Sequence, residues 1–398
     1  MSNITVPGFQ FAGVACGIKK SKKKDLALIF SERPATAAAL FTTNRFKAAP
    51  VLIGLKRMRS GVIQAVVVTS GNANACTGAR GMRDAEAACR EAGRRLGIDS
   101  NLVFPSSTGV IGVPLPMASV REGIRKAAEN LSPDQFSQAA EAIRTTDRLV
   151  KIVSASFRVK GKKLTLAGMV KGGGMIAPHM ATMLAYILTD AAVERSCLRE
   201  ILKRNADKTF NCTTVDGDMS TNDTTLLLAN GSAGNAPIRR GSPEAAALER
   251  ALYFVMKHLA IKLVEDGEGA TKAVEIQVRG ARSRAAAKKV AGTVANSLLV
   301  KTAFFGADPN FGRILAAIGY SGVPVRPERV SLSFDGVVVA RRGVGVGSNE
   351  RAAARVLKRP KFTVRIFLGQ GKESASVWTS DLGHDYVRIN SAYRRDAT

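Results

Sequence analysis

Val62–Thr69 (VIQAVVVT) is a β-branched run, broken at Gly71–Ala75 (GNANA) and followed by an alanine-rich stretch from Met82 to Leu96 that ends at Gly97. The first segment suits a strand, and the last suits a helix with glycine just past its end. A chain that moves directly from one period to the other must stack helices on sheet, and further signals repeat this pattern. Ser132-Pro133-Asp134-Gln135 combines a helix N-cap, a proline at the first helical position and a capping-box glutamine, so a helix is expected to about Arg144. Lys151–Val159 alternates apolar and polar residues, and Gly161-Lys162 leads into Leu164–Met169, which predicts a hairpin. Ser242-Pro243 starts a helix expected to about Val264, and Asp335-Gly336 sits between two β-branched stretches. The class is therefore mixed α/β. No repeat of 20 to 50 residues and no Pro/Ser-rich linker divides the chain, and the glycine-rich Lys171–Gly174 is the best internal discontinuity.

The 398 residues, 45% hydrophobic and 23% charged, are enough for two or three domain-sized units. No run of eighteen apolar residues is long enough to span a bilayer, and the opening MSNITVPGFQFAG lacks a basic segment followed by an apolar one. A cytoplasmic location is expected. The cysteines Cys16, Cys76, Cys89, Cys197 and Cys212 are odd in number and include no C-x-x-C pair, so we expect reduced, mostly buried thiols and neither a disulfide framework nor a zinc site. A net charge of +27 would ordinarily raise nucleic acid as a partner. Yet the basic residues run through the whole chain, dense only at Lys19–Lys24 (KKSKKK) and Arg279–Lys289 (RGARSRAAAKK), and neither run interleaves aromatics. They read as a solvated basic face, which could also steer anionic substrates.

The chemistry concentrates in Lys171–Leu184, KGGGMIAPHMATML. Its three glycines allow strained dihedrals, and strain beside a peptide bond prepares that bond for attack. The Thr182 hydroxyl can attack the Ala181 carbonyl to give an ester that water hydrolyses, leaving Thr182 at a new N-terminus. The α-amine exposed there has a pKa near 8 and can act as general base for the hydroxyl of its own residue. On spacing alone, a threonine after a glycine-rich loop is an ordinary loop residue.

This segment resembles the self-cleavage segment of the ornithine acetyltransferase (ArgJ) family, K-G-S-G-M-I-x-P-N-M-A-T-M-L. Other segments match in order: Pro34–Val51, Ser70–Gly78 (SGNANACTG), Ser106–Gly112 (SSTGVIG), Thr145–Asp147 (TTD), Asn211–Thr224 (NCTTVDGDMSTNDT), Glu265–Lys272 (EDGEGATK) and Gly306–Ile314 (GADPNFGRI). The resemblance implies an ArgJ/DmpA-like self-cleaving fold in which residues 1–181 become one subunit, holding the oxyanion segment, and residues 182–398 the other, with the nucleophile at its N-terminus. It also implies a heterotetramer of two chains of each kind. The activity implied is glutamate N-acetyltransfer in arginine biosynthesis, moving acetyl from N2-acetylornithine to Thr182 and then to glutamate. Acetyl-CoA stays open as a second donor, and no cofactor or metal is expected.

By the same resemblance Thr108 and Gly109 supply the oxyanion donors. Thr145, Lys171, Glu268 and Asn390 match substrate-contacting positions. Lys171 and Glu268 carry the opposite charges that ornithine and glutamate require. Arg395 stands where the family has a small hydroxyl residue, so it either pairs with a substrate carboxylate or, as expected of a terminal residue, points outward. His179 stands where the family has asparagine, which suits a supporting polar role. Asp216–Met219 begins like a calcium loop but fails at Thr221 and Leu227. Two rival functions remain: an amidohydrolase or aminopeptidase releasing the acyl group to water, and a non-catalytic basic protein binding nucleic acid.

Overall fold

The computed structural model describes residues 4–177 and 183–397, with side chains as far as Ala392. The strands are β1 (Phe9–Val14), β2 (Leu26–Phe41), β3 (Val62–Asn72), β4 (Val103–Val110), β5 (Lys151–Val159), β6 (Lys162–Lys171), β7 (Leu184–Thr189), β8 (Thr213–Thr214), β9 (Thr224–Ala229), β10 (Ala273–Ala281), β11 (Ser331–Phe334), β12 (Val337–Arg341), β13 (Val344–Gly345), β14 (Lys361–Phe367) and β15 (Glu373–Ser380). They form an eight-stranded sheet in the order β4-β3-β2-β9-β7-β6-β5, with β1 also paired to β2, and a seven-stranded sheet in the order β13-β12-β11-β14-β10-β15-β8. Helices cover both sheets, and the fold is mixed α/β.

Strands β7 (LAYILT) and β9 (TTLLLA) are buried at every position because both faces of their sheet are covered, so they read as continuous runs instead of alternating. On one face Leu184, Tyr186 and Leu188 meet Phe9, Phe11, Ile29 and Phe136. On the other, Ala185 and Ile187 meet Leu198, Ile201, Leu252 and Val255 from helices Arg195–Ala206 and Pro243–Glu265. Toward β3 that second face is covered by helices Gly78–Leu96 and Met117–Glu129, through Cys89, Ala92, Val120 and Ile124. Helices of the second sheet bury Val290, Val294 and Phe304 against Ile276, Val364 and Val377.

Local signals set the hairpins. Lys160 and Gly161 have φ of 45° and 82°, and Asp335 and Gly336 have 44° and 92°, the paired left-handed residues of a two-residue hairpin turn. Ser132 caps a short 3₁₀ turn, Pro133–Gln135, and the α-helix proper runs Phe136–Ala142, two residues short of the expected end. The five cysteines are unpaired, with Cys89, Cys197 and Cys212 buried and Cys76 exposed. No helix among the described residues is long and apolar enough to cross a membrane.

The glycine-rich discontinuity does not separate two layers. Lys171 at the end of β6 pairs with Leu184 at the start of β7, so residues 172–183 join two adjacent antiparallel strands. A hairpin needs about two residues for that step. The connection is longer than that, and its described residues 172–177 make an excursion past Glu268 and Asp216.

Candidate active site

Beside this excursion a cavity of about 290 Å³ is lined by Thr108, Gly109, Thr145, Lys171, Glu268 and Asn390, among others. These are the six expected site residues whose side chains fall within the described part. They come from the end of β4, the loop before β5, the last residue of β6, the loop after helix Pro243–Glu265, and the C-terminal helix His384–Ala397. Ala181 and Thr182 lie outside the described residues, as does His179, and the side chain of Arg395 also falls outside them.

Lys171 is the centre of the polar arrangement and is fully buried. Its ammonium donates to Thr145 Oγ1 at 2.7 Å and to Thr108 Oγ1 at 3.1 Å, and lies 3.9 Å from Asp147 Oδ2. Burial lowers its pKa, while Asp147 opposes that shift. An ammonium can only donate, so the Thr108 oxygen accepts from Lys171 and must direct its own hydrogen elsewhere. That hydrogen is free for an oxygen in the cavity. Gly109 has φ of 135°, and a Cβ there would stand 2.2 Å from the Gly71 carbonyl carbon. Only glycine brings this amide so close to β3.

Sequence reasoning missed what holds Lys171. Asp147 accepts from the Gly172 amide at 2.6 Å and from Lys151 Nζ at 2.5 Å, and Lys151 also contacts Asp266 at 2.5 Å. Burial alone would raise the Asp147 carboxyl, but the ammoniums of Lys171 and Lys151 hold it well below the usual carboxylate range. Every member of the chain is charge-paired, as a buried network requires.

In the same cavity, Glu268 Oε2 accepts from Asn390 Nδ2 at 2.9 Å. A Cβ on Gly174 would lie 2.3 Å from the same Glu268 oxygen, so the glycine-rich segment passes directly over this carboxylate. The cavity is thus lined by one buried cation and one carboxylate.

The excursion is fixed at both described ends. Asp216 accepts from the Met175 amide at 2.6 Å and the Ile176 amide at 2.8 Å, and Thr214 Oγ1 donates to the Ile176 carbonyl at 3.0 Å. Met175 has φ of 52°, a left-handed conformation costly for a side-chain-bearing residue. On the far side the Met183 amide donates to Asp223 Oδ1 at 3.0 Å. Burial holds the Asp223 carboxyl well above its usual pKa, with the Met183 amide and Lys171 pulling the other way. Asn222 donates to the carbonyls of Ala73 and Ser107 at 2.6 and 2.8 Å, joining three of the sequence segments at one side chain. The available signal for Asp216, Asp223 and Asn222 was their place in NCTTVDGDMSTNDT. No group of three potential metal ligands occurs among the described residues.

The ArgJ family model matches residues 10–395. The arginine biosynthesis bifunctional protein ArgJ of Geobacter sulfurreducens is 50% identical over 392 residues, covering 98% of this chain and 100% of that protein. The protein of the same description from Symbiobacterium thermophilum is 49% identical, covering 98% of each. A crystal structure of arginine biosynthesis bifunctional protein ArgJ from Bacillus halodurans matches with a TM-score of 0.51 and 38% identity, covering 52% of this chain and 98% of that one. The chain belongs to the ArgJ family, whose members are acetyltransferases of arginine biosynthesis.

Proposed function

We propose that this protein is a glutamate N-acetyltransferase that cleaves itself between Ala181 and Thr182 and carries acetyl on the Thr182 hydroxyl. The supporting observation is the Lys171–Thr108 contact at the wall of the cavity, which occupies the Thr108 oxygen as acceptor and leaves its hydroxyl hydrogen available to a bound oxygen. In the first half-reaction Thr182 Oγ adds to the acetyl carbonyl of N2-acetylornithine. The oxyanion is held by the Thr108 hydroxyl and the Gly109 amide, and the C–N bond breaks as ornithine leaves with a proton from the Thr182 α-ammonium. Glutamate's amine then attacks the ester, gives its proton to the α-amine and restores the hydroxyl.

Glu268 suits the distal ammonium of ornithine, and Asn390 orients that carboxylate. Thr145, whose oxygen accepts from Lys171, keeps a hydroxyl hydrogen that suits a substrate carboxylate. The solved Bacillus halodurans chain corresponds to only about half of this one, as expected for one product of a cut near the middle. Our reading extends to a cytoplasmic heterotetramer of two chains of each kind, for which the unpaired thiols suit a reducing compartment.

N-terminal sequencing of the purified protein tests the cut, with Thr182 expected at the start of the larger polypeptide. An assay with N-acetylornithine and acetyl-CoA as alternative donors to glutamate tests the transfer. Loss of N-acetylornithine without N-acetylglutamate formation would mark a hydrolase instead.

A further inference from the structure

A second, larger cleft of about 660 Å³ lies apart from the residues assigned to the acetyl-transfer site. Its lining includes Lys208, Arg250, Lys257, Arg279, Arg284 and Lys288, against the two carboxylates of Glu249 and Glu275. Three of these cations belong to the basic run Arg279–Lys289, which acetyl transfer leaves without a role. Other basic residues of the surface are paired, Arg94 and Arg95 with Glu91, Arg125 with Glu122 and Glu129, and Arg240 with Glu200. Here Glu249 is engaged by Arg204 at 2.7 Å, and none of the six cations forms an ion pair among the described residues.

Six cations against two carboxylates, one of them engaged by Arg204, leave the concavity net positive, a potential that a multiply charged anion would relieve. Two further features specify the anion. Lys257 Nζ stands 5.9 Å from the ring centroids of both Tyr253 and Trp378, so an aromatic wall adjoins the charges. Asn205 Oδ1, buried at the same lining, has no hydrogen-bond partner and offers an acceptor to a ligand N–H or O–H. The volume falls within the range of small-molecule sites. From Cys212 on the cleft wall the chain passes to Thr214 and Asp216, the residues that grip the glycine-rich loop.

We propose that this cleft binds an organic polyphosphate, a small molecule with at least two linked phosphates beside a planar ring. The test uses the cleaved, purified protein and the indole of Trp378, the chain's single tryptophan, as reporter. ATP, coenzyme A and inorganic tripolyphosphate are each titrated while indole fluorescence is followed. The expected result is a saturable change with ATP or coenzyme A at Kd below about 1 mM, weaker with tripolyphosphate, which lacks the ring. The ATP and coenzyme A arms distinguish a nucleotide source from a coenzyme source of the same chemistry. The double variant Arg284→Glu/Lys288→Glu should weaken binding about tenfold or more with acetyl transfer unchanged. Arg250→Glu, on a different helix, should weaken it independently and covers the case in which the double variant misfolds. The proposal is overturned if no titration saturates, if both charge reversals leave Kd unchanged, or if short RNA displaces ATP by binding more tightly.

Discussion

The Tyr386 hydroxyl donates to Asp216 Oδ2 at 3.2 Å, so the residue that holds the Met175 and Ile176 amides also holds the helix that carries Asn390. The glycine-rich loop and the C-terminal helix share one carboxylate. Asp216→Asn replaces an acceptor with an amide whose N–H₂ faces a donor. It should cost about 1 to 3 kcal/mol at the loop and slow self-cleavage on the order of tenfold or more, read by gel from the intact-to-cleaved ratio over time. Tyr386→Phe removes one bond, about 1 kcal/mol, and should raise KM for N-acetylornithine while cleavage proceeds at the parent rate. Equal effects of the two variants on cleavage would contradict this division.

Thr108→Ala removes the hydroxyl hydrogen that the Lys171 contact leaves available to a bound oxygen. The expected loss is in kcat, on the order of a hundredfold, with KM little changed. Thr108→Ser keeps the hydroxyl and should recover most of the rate. A Thr108→Ala enzyme with normal kcat would remove this residue from the reaction.

Asn390→Ala leaves Glu268 without its amide partner but with its charge. Steady-state kinetics should show KM for N-acetylornithine raised by roughly tenfold, about 1.4 kcal/mol. Glu268→Gln should raise it further, because it removes the anion itself. KM for glutamate, which has no distal ammonium, should not rise in Glu268→Gln.

Arg395 replaces a small hydroxyl residue near the end of the chain. The expected outward orientation predicts that Arg395→Thr matches or exceeds the parent kcat/KM for N-acetylornithine. A tenfold or larger loss would instead show the guanidinium paired with a substrate carboxylate, a contact of about 1.5 to 3 kcal/mol.

Lys301 gives a pH dependence with a defined sign. It is buried against Thr379 Oγ1 at 3.0 Å and Ser380, and desolvation lowers its pKa from 10.5 to about 7, with Asp381 and Asp216 pulling the other way. Between those pH values the unfolded chain binds the proton and the folded one does not, so Lys301 makes stability rise with pH across this window, by up to about 1.4 kcal/mol per pH unit. Urea unfolding from pH 7 to 9 should show a smaller slope for Lys301→Met than for the parent. An unchanged slope would mean that Lys301 stays charged in the folded protein.

What the sequence made legible was local. Lys160-Gly161 and Asp335-Gly336 encode their turns within two residues, and Gly97 adopts the left-handed cap at φ of 66° that its position after Leu96 implied. The site residues Thr108, Thr145, Lys171, Glu268 and Asn390 were legible only through the family resemblance. No spacing in the chain says that residues so far apart share a cavity. Asp216 shows the limit most clearly. Its surroundings fail as a calcium loop, and nothing in the local pattern indicates that its acceptors serve amides forty residues earlier. The order of the first sheet was equally hidden, since β2 pairs with β9 and β9 with β7 through long-range register alone.

That order sets a schedule for the protein's own maturation. Strands β7 and β9 lie in the middle of the sheet, with β2 on one side and β6 on the other, so the segments before and after residue 181 are interleaved. A chain severed before the sheet closed would leave each fragment with an unpaired apolar edge, a template for aggregation. Severed afterward, the pieces stay locked together by β2–β9 and β6–β7 pairing along whole strands. A cut at the proposed Ala181–Thr182 bond would therefore have to follow closure of the sheet. Two fragments produced from separate messages should recover little of the activity that a single translated chain acquires unaided.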